Sequence, residues 1–466
     1  MDSFIVKVVE ERLDVEYNHP RHRQLEEKLN KLKSHGFEVV DLATVVREKI
    51  KRGKSPKIYS IEGLPVLKVR NLLNERIDWS CDYTISSFVR KFSECKLQRQ
   101  DVLLASTGVG SLGKADIFNE SFDCIADGHI SIIRTNDKIE PEYLLYFLRS
   151  LLGQTQIERL TTGSTGQIEL SPENLNHAKI LLPLDKSIQR KIIFSVKEFE
   201  SLAEKYRKEY EQTLSELTKI ISKTLGFSEP DVKQIYTTNN LDERLDFYFN
   251  SPEYQQLLYE LHKIENNPEW KLLNGKDLSI SDPFSKEELD KIKTKIFKYV
   301  DIGNTDKKLG EITGFEEDIL LNLPTRARQV MSENDVLIPR PIGSTEGIVL
   351  VPEDFQDSLC STGFIKITSD NKDEALFLWA LMKSNFMQRQ FFLLQSGSLQ
   401  PEITPKNFKS KVLIPMPRNK EIKEKLVHKI AEVKNSARIS KEQYTYNKRK
   451  VQEIFTELFN KQNKNS

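Results

Sequence analysis

The amino-acid sequence predicts an α+β fold with two tandem-repeated mixed α/β domains and two long helices that form an antiparallel coiled coil. Three observations predict it. The two halves of the chain repeat one another, each half contains short β-rich runs broken by Gly, Pro, Asn and Asp, and each half ends in a long stretch with helical periodicity. Hydrophobic residues make up 38% of the 466 residues and charged residues 30%, which is typical of folded domains with apolar cores.

The repeat has an offset of about 234 residues and keeps the same order in both halves. The matching segments, first half then second, are Glu11–Asp14 and Glu243–Asp246, Asn71 and Asn304, Asp101–Leu103 and Asp335–Leu337, Gly163–Ser164 and Gly397–Ser398, and Leu182–Pro183 and Ile414–Pro415. Chance matches would not keep one order at a nearly constant offset. The sequence therefore indicates two copies of one module.

Each copy follows one plan. It opens with apolar residues at helical spacing, continues with β-rich runs and a helix near residues 142–157 or 374–391, and ends with a loop and a last strand. The opening positions are Leu25, Leu29 and Leu32 in the first copy, and Leu257, Leu258, Leu261 and Ile264 in the second. This mixture predicts a compact α+β domain in each copy.

A stretch with helical periodicity closes each copy, with charged residues between the apolar ones and neither Gly nor Pro in its interior. The positions are Ile188, Ile192, Val196, Phe199, Ala203, Tyr206, Tyr210, Leu217 and Ile221, then Ile422, Leu426, Ile430, Val433, Ala437, Tyr444, Val451, Ile454 and Leu458. At about 1.5 Å per residue each helix is roughly 55 Å long. One small domain cannot cover that length, so we expect the helices to pack on each other. The alternative is that each packs only on its own module.

Composition and spacing exclude several classes of protein. No apolar run reaches the roughly 18 residues of a membrane helix, and the first residues do not resemble a secretory signal. The four cysteines have neither CxxC nor zinc-ligand spacing, which predicts reduced thiols in a cytoplasmic protein. The net charge is +1, so the location of the charges must decide whether the chain binds nucleic acid.

The segment Gly108–Ala115 matches the phosphate-loop pattern GxxxxGK. That pattern needs Ser or Thr after the lysine and then a helix. Here Ala115 follows Lys114, and the next residues, ADIFNES, predict a strand and a turn. A methyltransferase cofactor loop and a recurring carboxylate pair are also missing from the sequence. We therefore expect a non-catalytic chain with no cofactor or metal of its own, and keep a nucleotide-binding enzyme as an alternative.

Ordered sequence blocks, duplicated along the chain, carry a resemblance to a known family. They are VLKVRN, QRQDVLLASTGVGSLG, IEPEYLLYFLRS, TTGSTGQIELSPENL and ILLPLDKSIQRKI in the first copy, and YVDIGN, MSENDVLIPRPIGS, ALFLWALMKS, QSGSLQPEITPKNF and VLIPMPRNKEIKEKL in the second. Their order resembles the specificity (S) subunit of type I restriction-modification enzymes. The second copy departs around Arg418–Lys420, where charged residues differ from those of the first.

The resemblance implies that each module is a target recognition domain for one half of a gapped double-stranded DNA sequence. It implies that the helices are a spacer and a docking surface for two modification (M) subunits that bring S-adenosylmethionine. Restriction (R) subunits, where present, would bring ATP and Mg. The implied segments are an opening helical segment 1–40, recognition domain 41–185, spacer helix 186–227, second recognition domain 228–417 with its opening helix, spacer helix 418–462 and polar tail 463–466.

Basic residues beside Gly and Pro are the first candidates for DNA contact, because Lys and Arg bind phosphates and Arg can bind guanine in two places. In the first module they are Lys51, Arg52, Lys54 and Lys57, with Arg70 and Asn71 of the block VLKVRN. In the second they are Arg326, Arg328 and Arg340, with Asn304 of YVDIGN. The alternatives are a solvated basic face in the first module and surface ion pairs in the second.

Polar loops at equivalent places are the second candidates, because uncharged side chains can bond base edges and glycine allows close approach of the backbone. The residues are Thr161, Thr162, Ser164, Thr165 and Gln167 in the first copy, and Gln395, Ser396, Ser398 and Gln400 in the second. The alternative is a structural turn that caps the preceding helix. A coiled-coil adaptor that binds proteins rather than DNA is also compatible with the long helices.

Overall fold

The structure is a computed structural model that describes Leu29 and residues 37–74, 76–85, 93–163, 168–226, 252–369, 371–397 and 399–462. The predicted opening positions Leu25 and Leu32 lie outside these residues, as do the matching segments 11–14 and 243–246. The chain forms two compact units, one of residues 1–205 with 443–466 and the other of residues 206–442. Each long helix therefore contributes one half to each unit.

Unit 1 contains the first module. Its strands are β1 (Phe37–Asp41), β2 (Lys51–Arg52), β3 (Leu64–Leu67), β4 (Asp82–Thr84), β5 (Asp101–Ala105), β6 (Ala115–Phe118), β7 (Ile125–Ala126), β8 (Ile130–Ile133) and β9 (Lys179–Pro183). Its helices are α1 (Pro141–Arg149), α2 (Leu151–Leu160), α3 (Pro172–Asn176) and the first part of α4 (Lys186–Leu225). The strands form sheets in the orders β4-β3-β7 and β2-β8-β5-β6, and β1 pairs with β9.

Unit 2 contains the second module. Its helices are α5 (Pro252–Glu265), α6 (Lys286–Ile292), α7 (Lys372–Lys383), α8 (Asn385–Leu393), α9 (Pro405–Lys411) and the first part of α10 (Lys420–Gln462). Its strands are β10 (Trp270–Asn274), β11 (Ile296–Val300), β12 (Glu316–Ile319), β13 (Ala327–Val330), β14 (Val336–Pro339), β15 (Val349–Leu350), β16 (Leu359–Ser361), β17 (Phe364–Ile367) and β18 (Leu413–Pro417). They form sheets in the orders β12-β11-β16-β13 and β15-β14-β17, and β10 pairs with β18.

The two modules have the same topology, which confirms the predicted tandem repeat. The first strand of one sheet runs parallel to a later strand in both copies, β3 with β7 and β11 with β16. The central strand of the other sheet lies between two antiparallel neighbours, β5 between β6 and β8, and β14 between β15 and β17. The differences lie at sheet edges, where β2 extends the first module and β13 the second.

The helix predicted near residues 142–157, like its counterpart at 374–391, is two helices rather than one, so that prediction was wrong. The break falls at Ser150 and Ser384, whose backbones are extended. Each serine hydroxyl donates to a carbonyl of the first helix, Phe147 O at 2.6 Å in the first copy. An amide then replaces part of the lost helical bonding, because Gln154 Nε2 donates to Leu148 O at 2.7 Å and Gln388 Nε2 to Met382 O at 2.7 Å.

Each unit combines the start of one long helix with the end of the other. In unit 1, Ile192 and Val196 of α4 share an apolar core with Phe455 of α10. In unit 2, the core contains residues from the end of α4 and the start of α10, including Leu217 and Leu426. The helices are therefore antiparallel, as predicted, and also pack on the modules. No helix among the residues described is both long and apolar enough to cross a membrane.

Replacing Phe455 by Ala is expected to destabilise unit 1. Phe455 is fully buried, and its ring meets Tyr143 and Phe147 edge-to-face at centroid distances of 5.4 and 5.5 Å. Losing a buried phenyl ring costs about 3–5 kcal/mol of unfolding free energy. The measurement is the protection of β5 amides from hydrogen exchange in increasing urea.

The matched control is Phe194→Ala on α4, because Phe194 is 64% exposed. Its effect should stay within about 0.5 kcal/mol, as for most surface substitutions. Equal effects of the two substitutions would contradict the assignment of the end of α10 to the core of unit 1.

Candidate nucleic-acid interface

A buried ion pair fixes the start of the central strand in both modules. Asp101 accepts from Arg134 Nε at 2.8 Å and from the backbone N–H of Gln98 at 2.7 Å. Asp335, at the equivalent place, lies 3.3 Å from Lys366 Nζ and accepts from the N–H of Ser332 at 2.8 Å. Because a buried carboxylate without a partner is costly, these pairs hold the scaffold on which the candidate loops are built.

The predicted basic loop divides into a strand and a loop. Lys51 and Arg52 form β2 on the edge of the sheet, and Lys54 and Lys57 lie exposed in the loop that follows. Lys51 pairs with Glu48 at 3.5 Å, and the hydrogen bond from Arg134 holds the pKa of the Glu48 carboxyl below its usual value. Lys54 and Lys57 are the exposed members of this run, whereas Lys51 and Arg52 are half-buried.

Arg52 clamps the polar loop of the first module. Its Nη1 lies 2.6 Å from the Glu169 carboxylate, and its Nη2 donates to the carbonyl of Leu170 at 2.8 Å. Glu169 pairs with Thr162 through two backbone hydrogen bonds of 2.8 Å, which form an antiparallel bridge. We call the described residues beside this bridge, 161–163 and 168–170, hairpin 1; the φ of Gly163 is +109°.

The second module has the same clamp, made from a different strand. Arg340, which follows β14, pairs with Glu402 and donates through Nη1 to the carbonyl of Thr362 at 3.0 Å. Glu402 pairs with Ser396 through backbone hydrogen bonds of 2.9 and 3.0 Å, which defines hairpin 2, the described residues 396–397 and 399–402. Glu169 and Glu402 are therefore equivalent, although their arginine partners come from different places in the fold.

Most of the predicted arginines bond to groups within the protein. The side chains of Arg52 and Arg340 are 23% and 24% exposed. Arg328 donates to the carbonyl of Phe284, with Nε at 3.1 Å. Arg326 is exposed, and Arg70 pairs with Asp82 at 2.8 Å while its side chain is 61% exposed. Arg70 and Arg326 are therefore better placed than the clamp arginines to meet a ligand.

The asparagines of VLKVRN and YVDIGN close one turn in both copies. Asn71 Oδ1 accepts from the N–H of Lys68 at 2.9 Å, and Asn304 Oδ1 accepts from the N–H of Asp301 at 3.1 Å. Asn71 is 1% exposed, and its amide donates to the carbonyl of Asp78 at 2.9 Å. A contact between Asn71 and DNA would need this turn to open, while Asn304 is half-buried.

The polar loop residues divide between structural bonds and exposed positions. Thr161 donates to the carbonyl of Ile157 at 2.7 Å and so caps α2. Thr162 and Gln400 are exposed, whereas Gln395 and Ser396 are half-buried. The other predicted members, Ser164, Thr165, Gln167 and Ser398, lie outside the described residues. Capping and exposure therefore coexist in these loops, as both interpretations of the sequence allowed.

Sequence reasoning missed Glu169 and Glu402 and the exposed apolar residues beside the basic loop. The sequence signal that could have identified Glu169 and Glu402 is that a glutamate stands at the equivalent position in both copies. Ile61 is 98% exposed and Ile58 is 60% exposed. Tyr59 lies under Lys68 Nζ, 4.2 Å from its ring centroid. The loop thus offers both charge and apolar surface.

The segment that matched the phosphate-loop pattern is a turn between two strands. Gly108–Lys114 connects β5 to β6, and strand rather than helix follows Lys114, as the sequence predicted. Gly108, Gly110 and Gly113 all have positive φ, which suits a tight turn. Among the described residues, no group of three or more His, Cys, Asp or Glu is placed to hold a metal ion.

Residues 34–212 match the family model of the type I restriction modification DNA specificity domain. Over these residues the chain is similar to that family, and the resemblance drawn from its sequence blocks is confirmed. No curated protein matches the sequence.

Solved structures that resemble the chain include three from type I restriction-modification systems. The S subunit from M. genitalium is 13% identical, with 89% of this chain and 94% of that chain covered and a TM-score of 0.46. A second structure, described as the structural basis of complex assembly and conformational transition of the type I R-M system, is 14% identical, with 91% of this chain and 98% of that chain covered and a TM-score of 0.47. The HsdS subunit from Thermoanaerobacter tengcongensis is 14% identical, with 91% of this chain and 97% of that chain covered and a TM-score of 0.37.

Replacing Arg52 by Ala is expected to loosen hairpin 1 but not hairpin 2. The substitution removes a charge-assisted pair and a hydrogen bond to the hairpin, worth about 1–2 kcal/mol locally. The backbone N–H groups of Thr162 and Glu169 should then exchange with solvent about 5–30-fold faster. Hydrogen exchange read by mass spectrometry measures this, and hairpin 2 is the internal control.

Arg340→Ala should give the opposite pattern. The N–H groups of Ser396 and Glu402 should exchange faster, and exchange in hairpin 1 should stay unchanged. Glu169→Gln keeps a hydrogen-bond acceptor and should have a smaller effect than Arg52→Ala. Unchanged exchange in hairpin 1 after Arg52→Ala would show that the ion pair does not hold the hairpin.

Proposed function

We propose that this protein is the DNA sequence-recognition subunit of a type I restriction-modification complex. Each module would bind one half of a gapped double-stranded DNA target, and the paired helices would set the gap and dock the modification subunits. One observation carries the proposal: a domain that matches the DNA specificity family is repeated in the same chain with the same topology. Two copies of one scaffold with different surface loops suit a target whose two halves differ.

The residues proposed to contact DNA are the exposed ones. Phosphate contacts would come from Lys54, Lys57 and Arg70 in the first module and Arg326 in the second, since phosphate contacts position a protein without selecting sequence. Base contacts would come from the two hairpins, whose uncharged side chains differ between the copies. The clamp arginines Arg52 and Arg340 then act as positioning residues, because their guanidinium groups are bonded to the hairpins.

The chain is proposed to be non-catalytic and to depend on partners for chemistry. The modification subunits would supply S-adenosylmethionine and transfer its methyl group, and restriction subunits, in a system that has them, would supply ATP and Mg for cleavage. The specificity subunit contributes selection alone in this scheme. The competing proposal, an adaptor that binds proteins through its modules, predicts no effect on DNA modification.

Deleting this gene from its host is expected to remove methylation at one two-part motif with a fixed gap. The reason is that, in the proposed scheme, a modification subunit without its recognition subunit does not select a DNA sequence. The measurement is a genome-wide map of methylated bases with and without the gene, with restoration by the wild-type gene as the control. Identical maps in a host that expresses the modification subunit would refute the proposed function.

Lengthening both helices by one heptad is expected to lengthen the gap and leave the half-sites unchanged. Seven residues inserted after Lys208 of α4 and seven after the equivalent Glu442 of α10 add about 10 Å. At about 3.4 Å per base pair, the gap should grow by up to about three base pairs. The same methylation map measures it.

Inserting the heptad in α4 alone breaks the pairing of the two helices and is the control, which should abolish methylation. An altered half-site with the gap unchanged would contradict the role of the helices as a spacer.

A further inference from the structure

Each unit has a cleft at the same place, where its module meets the long helices. Cleft 1, in unit 1, has a volume of about 460 Å³ and is lined by Leu73, Arg76, Arg149, Glu200, Glu204 and Lys448 among others. Cleft 2, in unit 2, has a volume of about 560 Å³ and is lined by Leu217, Lys219, Lys307, Lys308, Glu346 and Lys383 among others. Arg149 and Lys383 are equivalent in the repeat, which makes the two clefts counterparts.

The charges of cleft 1 are balanced within the protein. Arg149, whose side chain is 7% exposed, lies 3.1 Å from Glu200 and 3.1 Å from Asp116. The hydroxyl of Tyr146 also donates to Glu200 at 2.9 Å. Because both acids neutralise the buried guanidinium, cleft 1 does not call for an external anion.

Cleft 2 has lost that balance through two changes between the copies. Lys383 stands where the first copy has Arg149, and Lys434 stands where it has Glu200. Lys383 is 5% exposed and donates to three backbone carbonyls, those of Lys307, Lys308 and Glu346. Lys434 lies over the ring of Trp379, 4.2 Å from its centroid. Where Arg149 has the carboxylate of Glu200 beside it, the equivalent Lys383 therefore has the amine of Lys434 at that position.

The neighbouring carboxylates do not restore the balance. Asp306 acts on Lys383 and Glu311 acts on Lys434, but each of these acids is bonded to Lys441 at 2.9 Å. Glu346 also acts on Lys383. Burial lowers the pKa of Lys383 to about 7 and that of Lys434 to about 8, because the charged form of each is poorly solvated, and a bound anion would favour that form. Among the described residues that line cleft 2, Lys219, Lys307 and Lys308 add positive charge and Glu346 is the carboxylate.

We propose that cleft 2 binds a backbone phosphate of the DNA that the second module recognises, whereas cleft 1 does not. The proposal rests on the proposed function of this chain in DNA recognition. It adds a phosphate site at the junction of the second module and α4.

Two observations favour phosphate over an acidic side chain of a protein partner. The cations that line cleft 2 are lysines, which bind phosphate as compact point charges. Copies of one modification subunit docked on both modules would meet similar chemistry in both clefts. The two clefts differ in charge, which argues against such a partner.

The test replaces Lys219 and Lys307 by Ala in the complex with modification subunits and measures affinity for a target duplex and a scrambled duplex. Fluorescence anisotropy over a series of KCl concentrations gives both affinity and salt dependence. Losing one phosphate contact should lower affinity for both duplexes by a similar factor, about 3–10-fold. The slope of log K against log salt should fall by about 1.

Lys420→Ala with Lys425→Ala is the matched control, because both lysines are exposed at the start of α10 and outside the cleft. Lys448→Ala tests cleft 1, and both control variants should keep the wild-type slope. An unchanged slope for the cleft 2 variant, with specific binding by the wild type intact, would overturn this proposal but not the proposed function. Loss of modification subunits from the cleft 2 variant at unchanged slope would identify a protein site and overturn it too. A wild-type complex that does not distinguish the two duplexes would refute the proposed function itself.

Discussion

Apolar side chains from both long helices close the core of each compact unit, and the rest of the structure depends on this sharing. The core of unit 1 contains Val196 from the start of α4 and Phe455 from the end of α10, and that of unit 2 contains Leu217 and Leu426. Neither module can bury its apolar face with its own following helix alone. Within each unit, the direction of the two long helices is therefore fixed by hydrophobic burial.

Buried polar groups keep the scaffold of the two modules the same, while exposed groups differ. Asp101 and Asp335 are each paired with a cation at the start of the central strand. The amides of Gln154 and Gln388 each satisfy carbonyls at the same helix break. Such groups resist substitution, because a buried polar atom without a partner is costly. Surface residues carry no such penalty, so two copies of one scaffold can acquire different surfaces for different DNA sequences.

The near-neutral charge of the chain is compatible with nucleic-acid binding because the charges are unevenly placed. Exposed lysines cluster beside β2 in the first module and around cleft 2 in the second, while many acidic residues lie on the long helices, where they pair with lysines and arginines one turn away, as Glu211 does with Arg207 at 2.7 Å. Glu169 and Glu402 occupy equivalent positions in the two modules. Each is neutralised by an arginine, but the two arginines come from different places in the fold. The hairpin is thus held in both modules while the surrounding loops vary.

The sequence alone determined the features that depend on local pattern and on order along the chain. These include the repeat, the two long helices, the antiparallel pairing and the strand after Lys114, since periodicity and turn residues act over a few positions. It did not predict the helix breaks at Ser150 and Ser384, because these depend on amides that bond across the break. For the candidate interface, the sequence indicated which residue types could contact DNA but not which of them are exposed in the fold. Only the tertiary structure decided that Arg52 is bound to Glu169, that Asn71 is buried and that Lys383 is buried at cleft 2. Arg52 and Lys383 each meet groups from distant segments of the chain, which only folding brings close.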